Sequence, residues 1–596
     1  MARQWTDTTL DAARREGDRE ADDLVADILV RAQGTAQLGR LGYNALLDLA
    51  DLLVASPELM LVKGSILHGE LGKIAAHNPR IVGYFDPIEA PDWVDEAKLA
   101  RAAELWETDA LLSIAVLYAA SLPACYLMQR GVPVLYGTDK LARHDYIFQR
   151  IHETGLMLDA VLDQGGIKVI HDVTPDADRH LQHVLAKLDP DGAWEWKGRR
   201  LQRATGAYGP GVELDRVRTE LAASFGKPRR YLWGKGCVSA KKVRFLHASM
   251  RCMLMNPDKF HPVGDREKPQ SLAERLSHRQ EPWDVAKLGV PINQEDQAFV
   301  LLTFGYLIPK GMEHWGRTIP RDQKEGFLHL WKVIGHIMGI RADLMTDDLE
   351  EAAALYERIL ARNGGPSEPG VLLTEAVMEF LEEYLPGRFG LAQRFPAELI
   401  IDQLGPDRAQ MILRPERFAA ARRLFPRLGY GACRFGVWAY YRLRDRILAR
   451  IPLVAGAMAG LLHRSAEMLI ESWRDTFQRK PFYVPAGDKT WVRKHGVTPE
   501  YKRSLMAWRV AMFDTLLVAV ASIIVAGFAV GAAIVFAVLL MWESAGVSLG
   551  VAVLGAIVAA FIMKRTLPAI FDRRPRIPPA PSVEAAEEPE PVRAAA

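Results

Sequence analysis

The chain has 596 residues, 49% hydrophobic and 25% charged, with a formal net charge of +2. That balance is ordinary for a globular protein and gives no reason to expect nucleic acid as a partner. The four cysteines, Cys125, Cys237, Cys252 and Cys433, lie far apart, with no CxxC pair, no CxxCH for covalent haem and no zinc spacing. They read as buried free thiols in a reducing compartment.

A chain this long should divide into about two to four units. The N-terminus, MARQWTDTTLDAARREGDREADD, is charged, without an apolar core or a cleavage site, and does not read as a secretory signal. Residues 1–90 form a predicted N-terminal helical region, with apolar residues at helical spacing over Asp22–Ala32 and Tyr43–Leu61. A loop follows at Pro87 and Pro91. Residues 91–485 form the main predicted helical domain. Leu99–Met128 reads as a helix broken at Pro123, and Lys140–Leu162 as a further helix. Residues 171–240 carry three turn-like segments, DVTPDAD, LDPDGAWEWKG and GAYGPG, and read as a helical hairpin with loops. Asn293 is placed to cap a helix over Pro291–Tyr306, with Glu295 and Asp296 in its first turn. Little in the chain alternates with period two, so the fold class is all-α.

A juxtamembrane segment at 486–510 precedes two apolar runs within 511–564. Thr515–Trp542 is 28 residues without a charge and Ser544–Met563 a further 20. About 20 helical residues cross a bilayer, so the pair reads as a C-terminal transmembrane hairpin, about 515–542 and 544–563, turning at ESAG. Lys502, Arg503 and Arg509 precede it, and Lys564, Arg565, Arg573, Arg574 and Arg576 follow it. Both ends, and the 91–485 domain, are therefore expected on the cytoplasmic side. The hairpin makes membrane lipid a partner. Gly527 and Gly531, like Gly546 and Gly550, have the GxxxG spacing of closely approaching helices, which fits a homodimer through the hairpin or only the small residues common in such spans. The tail, 565–596, is basic and then Pro-, Ala- and Glu-rich, as in disordered segments.

The stretch with the most chemistry is Lys241–Arg251, KKVRFLHASMR. As a helix it puts Arg244, His247 and Arg251 on one face, beside Val243, Leu246 and Met250. An imidazole in apolar cover can ligate haem iron, and arginines can meet the anionic propionates. One buried, hydrogen-bonded histidine explains the same pattern. GxGxxG, Walker, GxSxG and HExxH motifs are absent, as are paired Glu-x-x-His units. His180 and His183, with Asp178, have metal-ligand spacing but read as a solvated face; His329 and His336 read as packing residues. Arg150 and Thr154 lie one turn apart, beside Glu153. They could hydrogen-bond an iron-bound oxygen species and handle protons, or be a surface Arg–Glu pair beside a helix-facing threonine.

The order VLYGTDKLARHDYIFQRIHET, KKVRFLHASMR, PINQEDQAFVLLTF and FLHLWKVIGHIMGI resembles the catalytic domain shared by latex clearing proteins (rubber oxygenases) and mpaB-type oxygenases, over roughly 86–345. The resemblance implies a globin-like helical core with additional helices and non-covalent haem b. It also implies use of O2 to cleave carbon–carbon double bonds in isoprenoid chains. It makes His247 the proximal iron ligand, with Arg244 and Arg251 beside the cofactor. Arg150, Glu153 and Thr154 match the distal Arg-x-x-Lys-Thr segment of the rubber-cleaving members, with Glu153 in the lysine's place. The expected protein is a membrane-anchored haem oxygenase acting on a lipophilic small molecule. A peroxidase-like haem enzyme, a haem-based oxygen or redox sensor and a haem-free helical scaffold are the alternatives.

Overall fold

The computed structural model describes residues 5–30, 83–134, most of 154–170, 230–256, 283–384, 395–446 and 498–575, with short pieces at 46–54, 193–202, 477–479 and 491–493 and isolated positions. These residues are mainly helical and fall into two compact units. The first comprises 1–385, 393–466 and 481–490; the second comprises 386–392, 467–480 and 491–596.

In the first unit, α1 (Asp7–Arg14) is capped by Thr6 and α2 (Arg19–Leu29) by Asp18, each side chain accepting a first-turn N–H. Strand β1 (Ile88–Glu89) leads to α3 (Glu96–Val116), capped by Asp95. The helical path does not break at Pro123. It passes through a π-helical turn, Leu117–Ser121, and continues over Leu122–Tyr126. A widened turn just ahead of the proline absorbs the hydrogen bond that its ring cannot make. The kink lies earlier, at Asp109 (φ −140°, ψ 27°). That carboxylate is buried and held by Arg444 at 2.6 Å and Arg317 at 2.8 Å. Burial alone would raise its pKa, but the two guanidiniums outweigh it and hold the carboxyl below its usual range.

The described residues of 171–234 are mainly strands, not the helices expected there, and the rest of that stretch lies outside the described residues. The strands include β3 (Ala193–Trp196) paired antiparallel with β4 (Arg199–Gln202). Strand β5 (Tyr231–Trp233) is the centre of a three-stranded sheet, between β1 and β2 (Lys168–Ile170), with Leu232 opposite both Ile88 and Val169. The sheet delivers the chain into α4 (Lys235–Met255).

Next come α5 (Gln294–Gly305), α6 (Arg321–Ile337), α7 (Leu349–Asn363) and α8 (Leu424–Arg446). Helix α6 packs along α3, where a Cβ on Gly326 would sit 2.6 Å from the Lys98 carbonyl. Phe304 stacks on Trp331 at 4.6 Å and Phe299 on Tyr356 at 5.0 Å, so α5 is central to the core.

The second unit contains the pair β6 (Phe477–Arg479) and β7 (Trp491–Arg493), then α9 (Pro499–Val538) and α10 (Trp542–Phe561). The hairpin turns earlier than ESAG, since Glu543 to Gly546 are already helical. Leu540 adopts φ 58°, Met541 N–H donates to Phe536 O at 2.8 Å, and Leu540 N–H donates to Ala537 O at 3.1 Å. This is the helix-ending motif usually built on glycine, made here by a leucine. Gly555 lies where the helices touch, 2.9 Å from Ser522 O at its Cβ position, whereas Gly546 and Gly550 meet nothing.

Candidate functional site

Helix α4 begins at Gly234, whose φ of 114° suits glycine alone. Gly236 N–H donates to Gly166 O at 2.8 Å, and a Cβ there would sit 2.8 Å from Ala160 O. The residues that follow the helical stretch at 157–162 are thereby stitched to the start of α4. Phe245, Ala248, Ser249 and Cys252 face the core. Val243, Leu246, His247, Met250 and Leu254 form a half-buried stripe, so the imidazole sits among aliphatic side chains midway along the helix.

Arg244 and Arg251 face the N-terminal segment. Arg244 holds Asp18 through Nε at 2.5 Å and Nη2 at 2.8 Å, and Glu20 at 2.8 Å. Arg251 holds Asp22 at 2.7 Å and the Ile292 carbonyl at 2.9 Å; its Nη2 is buried without a hydrogen-bond partner. The groups expected to face a cofactor's carboxylates thus bind protein carboxylates at three points, and Arg251 retains one unused nitrogen. Burial raises the Asp22 pKa, opposed by Arg251.

The cap at α5 forms as the residues imply: Asn293 Oδ1 accepts from Asp296 N–H at 2.9 Å. The same tetrapeptide also fixes the N-terminal segment. Glu295, fully buried, accepts from Arg14 at 2.7 Å and Arg362 at 3.2 Å, and Asp296 accepts from Arg14 at 2.7 Å. Gln294 donates to Gly17 O and Gly339 O and accepts from Arg341 N–H. Ile292 stands at φ 51°, an unusual conformation for a β-branched residue, with its carbonyl held by Arg251 and Gln297.

His329 is a core residue with both nitrogens engaged. Nε2 accepts from Asp95 N–H at 2.9 Å, so the proton is assigned to Nδ1, which donates to Asp347 at 2.9 Å. Burial would raise the Asp347 pKa, but hydrogen bonds from His329 and Lys332 hold it down at about 2. His336 is half-buried beside Trp93, and burial and the Arg244 charge lower its pKa.

Thr154 is half-buried and helical; Arg150 and Glu153, with Asp178, His180 and His183, lie outside the described residues. Sequence reasoning missed Arg14, Asp18, Glu20 and Asp22. A signal was available, since Asp18 and Asp22 lie one turn apart and Arg244 and Arg251 two turns apart, but nothing local links the two sets.

Residues 234–468 match the model of a family described as "ER-bound oxygenase mpaB/B'/Rubber oxygenase, catalytic domain". A rubber oxygenase of Streptomyces sp. (strain K30) is 24% identical over 152 residues, 25% of this chain. The chain spans about a third (32%) of that relative. The structure of a latex clearing protein in its closed state aligns with 70% of this chain and 84% of its own, at 18% identity and a TM-score of 0.39. From the glycine that opens the His247 helix to a point beyond α8, this chain is thus similar to the catalytic domain of the mpaB and rubber oxygenase family.

Proposed function

We propose that the protein is a membrane-anchored, haem b-dependent oxygenase that uses O2 on an unsaturated, lipophilic, isoprenoid-like substrate. The family match over 234–468 carries this reading, because it includes the helix on which His247 stands among aliphatic side chains. The donor set suits a porphyrin. Among the described residues no group of three or more His, Cys, Asp or Glu could cage a bare ion, whereas haem brings four nitrogens and needs one imidazole from the protein. When bound, haem would supply a redox-active iron that binds dioxygen. His247 would hold that iron, and Val243, Leu246 and Met250 would keep water from it. The unused Nη2 of Arg251 would be available as an arginine donor for a propionate. Arg150, Glu153 and Thr154 are proposed to steer the substrate and to hold or pass a proton.

Three described helices are long and apolar enough to cross a membrane. The one at 96–126 is 78% buried within the protein, against 31% and 18% for 499–538 and 542–566. The last two leave large side chains such as Ile534, Leu540, Val547 and Leu554 exposed, which supports the hairpin as the anchor. The basic flanks favour both ends, and the catalytic domain, on the cytoplasmic side.

Absorption spectra test the cofactor. Wild-type protein should show a Soret band and His247→Ala should lose it; a native-like spectrum in the variant sinks the ligand assignment. Oxygen uptake with prenyl alcohols or quinones tests the reaction, since a sensor would bind oxygen without consuming it.

A further inference from the structure

Helix α8 is anchored along one face. Tyr430 donates to Asp402 at 2.9 Å, Arg434 approaches the same carboxylate at 3.3 Å, Tyr441 is buried, and Arg444 grips Asp109 at 2.6 Å. Its backbone at Trp438 lies so close to Gly316 that a Cβ there would meet it at 2.9 Å. The opposite face also carries large apolar side chains, with Trp438 at its margin, its ring Cδ1 lying 2.8 Å from the Cβ position of Gly316. Leu424, Leu428, Phe435 and Trp438 follow at spacings of four, seven and three and are 65%, 60%, 66% and 41% exposed. Phe435 and Trp438 stack on each other at 5.8 Å. Such a stripe on a firmly seated helix is an interaction surface rather than a loose end.

Its charge identifies the occupant. From Arg417 to Arg444 there are seven arginines and no Asp or Glu. Arg417, Arg434 and Arg444 hold carboxylates of the fold. Arg422, Arg423 and Arg427 are exposed and have no carboxylate partner among the described residues. A second copy meeting this face through its own equivalent would bring like charges together. A bilayer surface with anionic headgroups offers acyl chains to the apolar side chains and phosphates to the guanidiniums.

We infer that the outer face of α8 is an interfacial membrane-binding helix, inserting Leu424, Leu428, Phe435 and Trp438 among anionic lipids. The inference rests on the proposed membrane association of the protein, to which it adds a separate, lipid-selective contact.

The test uses the full chain with Cys433→Ser, reconstituted into vesicles of phosphatidylcholine alone or mixed with phosphatidylserine. An environment-sensitive fluorophore is placed at Leu428→Cys, or at Val547→Cys in the hairpin. The Leu428 probe should brighten with phosphatidylserine and dim when salt is added, while the Val547 probe stays bright in both lipids. Replacing Arg422, Arg423 and Arg427 by Gln should weaken the phosphatidylserine response by about five-fold per arginine. A dim Leu428 probe beside a bright Val547 probe overturns the α8 inference and leaves the hairpin standing. A dim Val547 probe beside a Leu428 probe that still answers to phosphatidylserine overturns the hairpin and supports α8. Brightening of the Leu428 probe that follows protein density in pure phosphatidylcholine means contact between copies and overturns the inference.

Discussion

Gly339 shows how closely one position can govern the site. It stands at φ 74°, and a Cβ there would lie 2.6 Å from Asp18 Oδ2 and 2.8 Å from Arg244 Nε. A methyl group would strain the backbone and wedge apart a largely buried ion pair. Gly339→Ala should therefore lower stability by about 3 kcal/mol or more, read from the denaturant midpoint. Asp347 offers a pH test. Its folded pKa of about 2 lies below its ordinary 3.8, so it contributes stability that is full above 3.8 and is lost as pH falls towards 2. The pair is partly solvated, so after screening the effect should be no more than about 1 kcal/mol. Asp347→Asn should thus be less stable than wild type at neutral pH and converge with it near pH 2. A gap that stays constant with pH would dissociate the stabilisation from ionisation.

The elements differ in how much the sequence reveals of them. Helix α4 is legible because its apolar spacing is local, and α5 because Asn293 and its acidic first turn are a self-contained signal. Strand β5 is not, since three residues have no usable period and their partners stand near 88 and 168. The hairpin is legible from its two uncharged runs, but its turn is not. Glu543 draws the eye as the polar break, while the chain reverses at Leu540, in a backbone conformation that leucine rarely adopts. Leu540→Gly should accordingly stabilise the turn by about 1 kcal/mol, measured by unfolding in detergent, because glycine enters that conformation freely. Loss of stability would show that packing of the leucine outweighs its strain.

Across the whole molecule, the first 30 residues tie together parts of the family domain that lie far apart in sequence. Their side chains reach Arg244 and Arg251 on α4, Glu295 and Asp296 on α5, Arg341 beyond α6, and, through Asp7 and Asp11, Arg362 on α7. Composition could not disclose this, because a net charge of +2 hides acids and bases placed to meet only after folding. Removing residues 1–30 would leave Arg251 and Glu295 buried without their main counter-ions. Breaking one such pair costs about 3–5 kcal/mol, so the truncated protein should melt far below the full chain. An unchanged melting curve would reduce the segment to an ornament.

The distance between these partners also sets a timetable for the nascent chain. Asp18 and Arg244 are 226 positions apart, and Arg14 and Glu295 are 281 apart. At ordinary rates of translation, Asp18 waits on the order of 10–50 s for its arginine to be made. During that interval the segment can form its own short helices, and its dense charge suits it to wait in water without sticking. Docking of that segment on α4 and α5 can then come only after both helices have been synthesised.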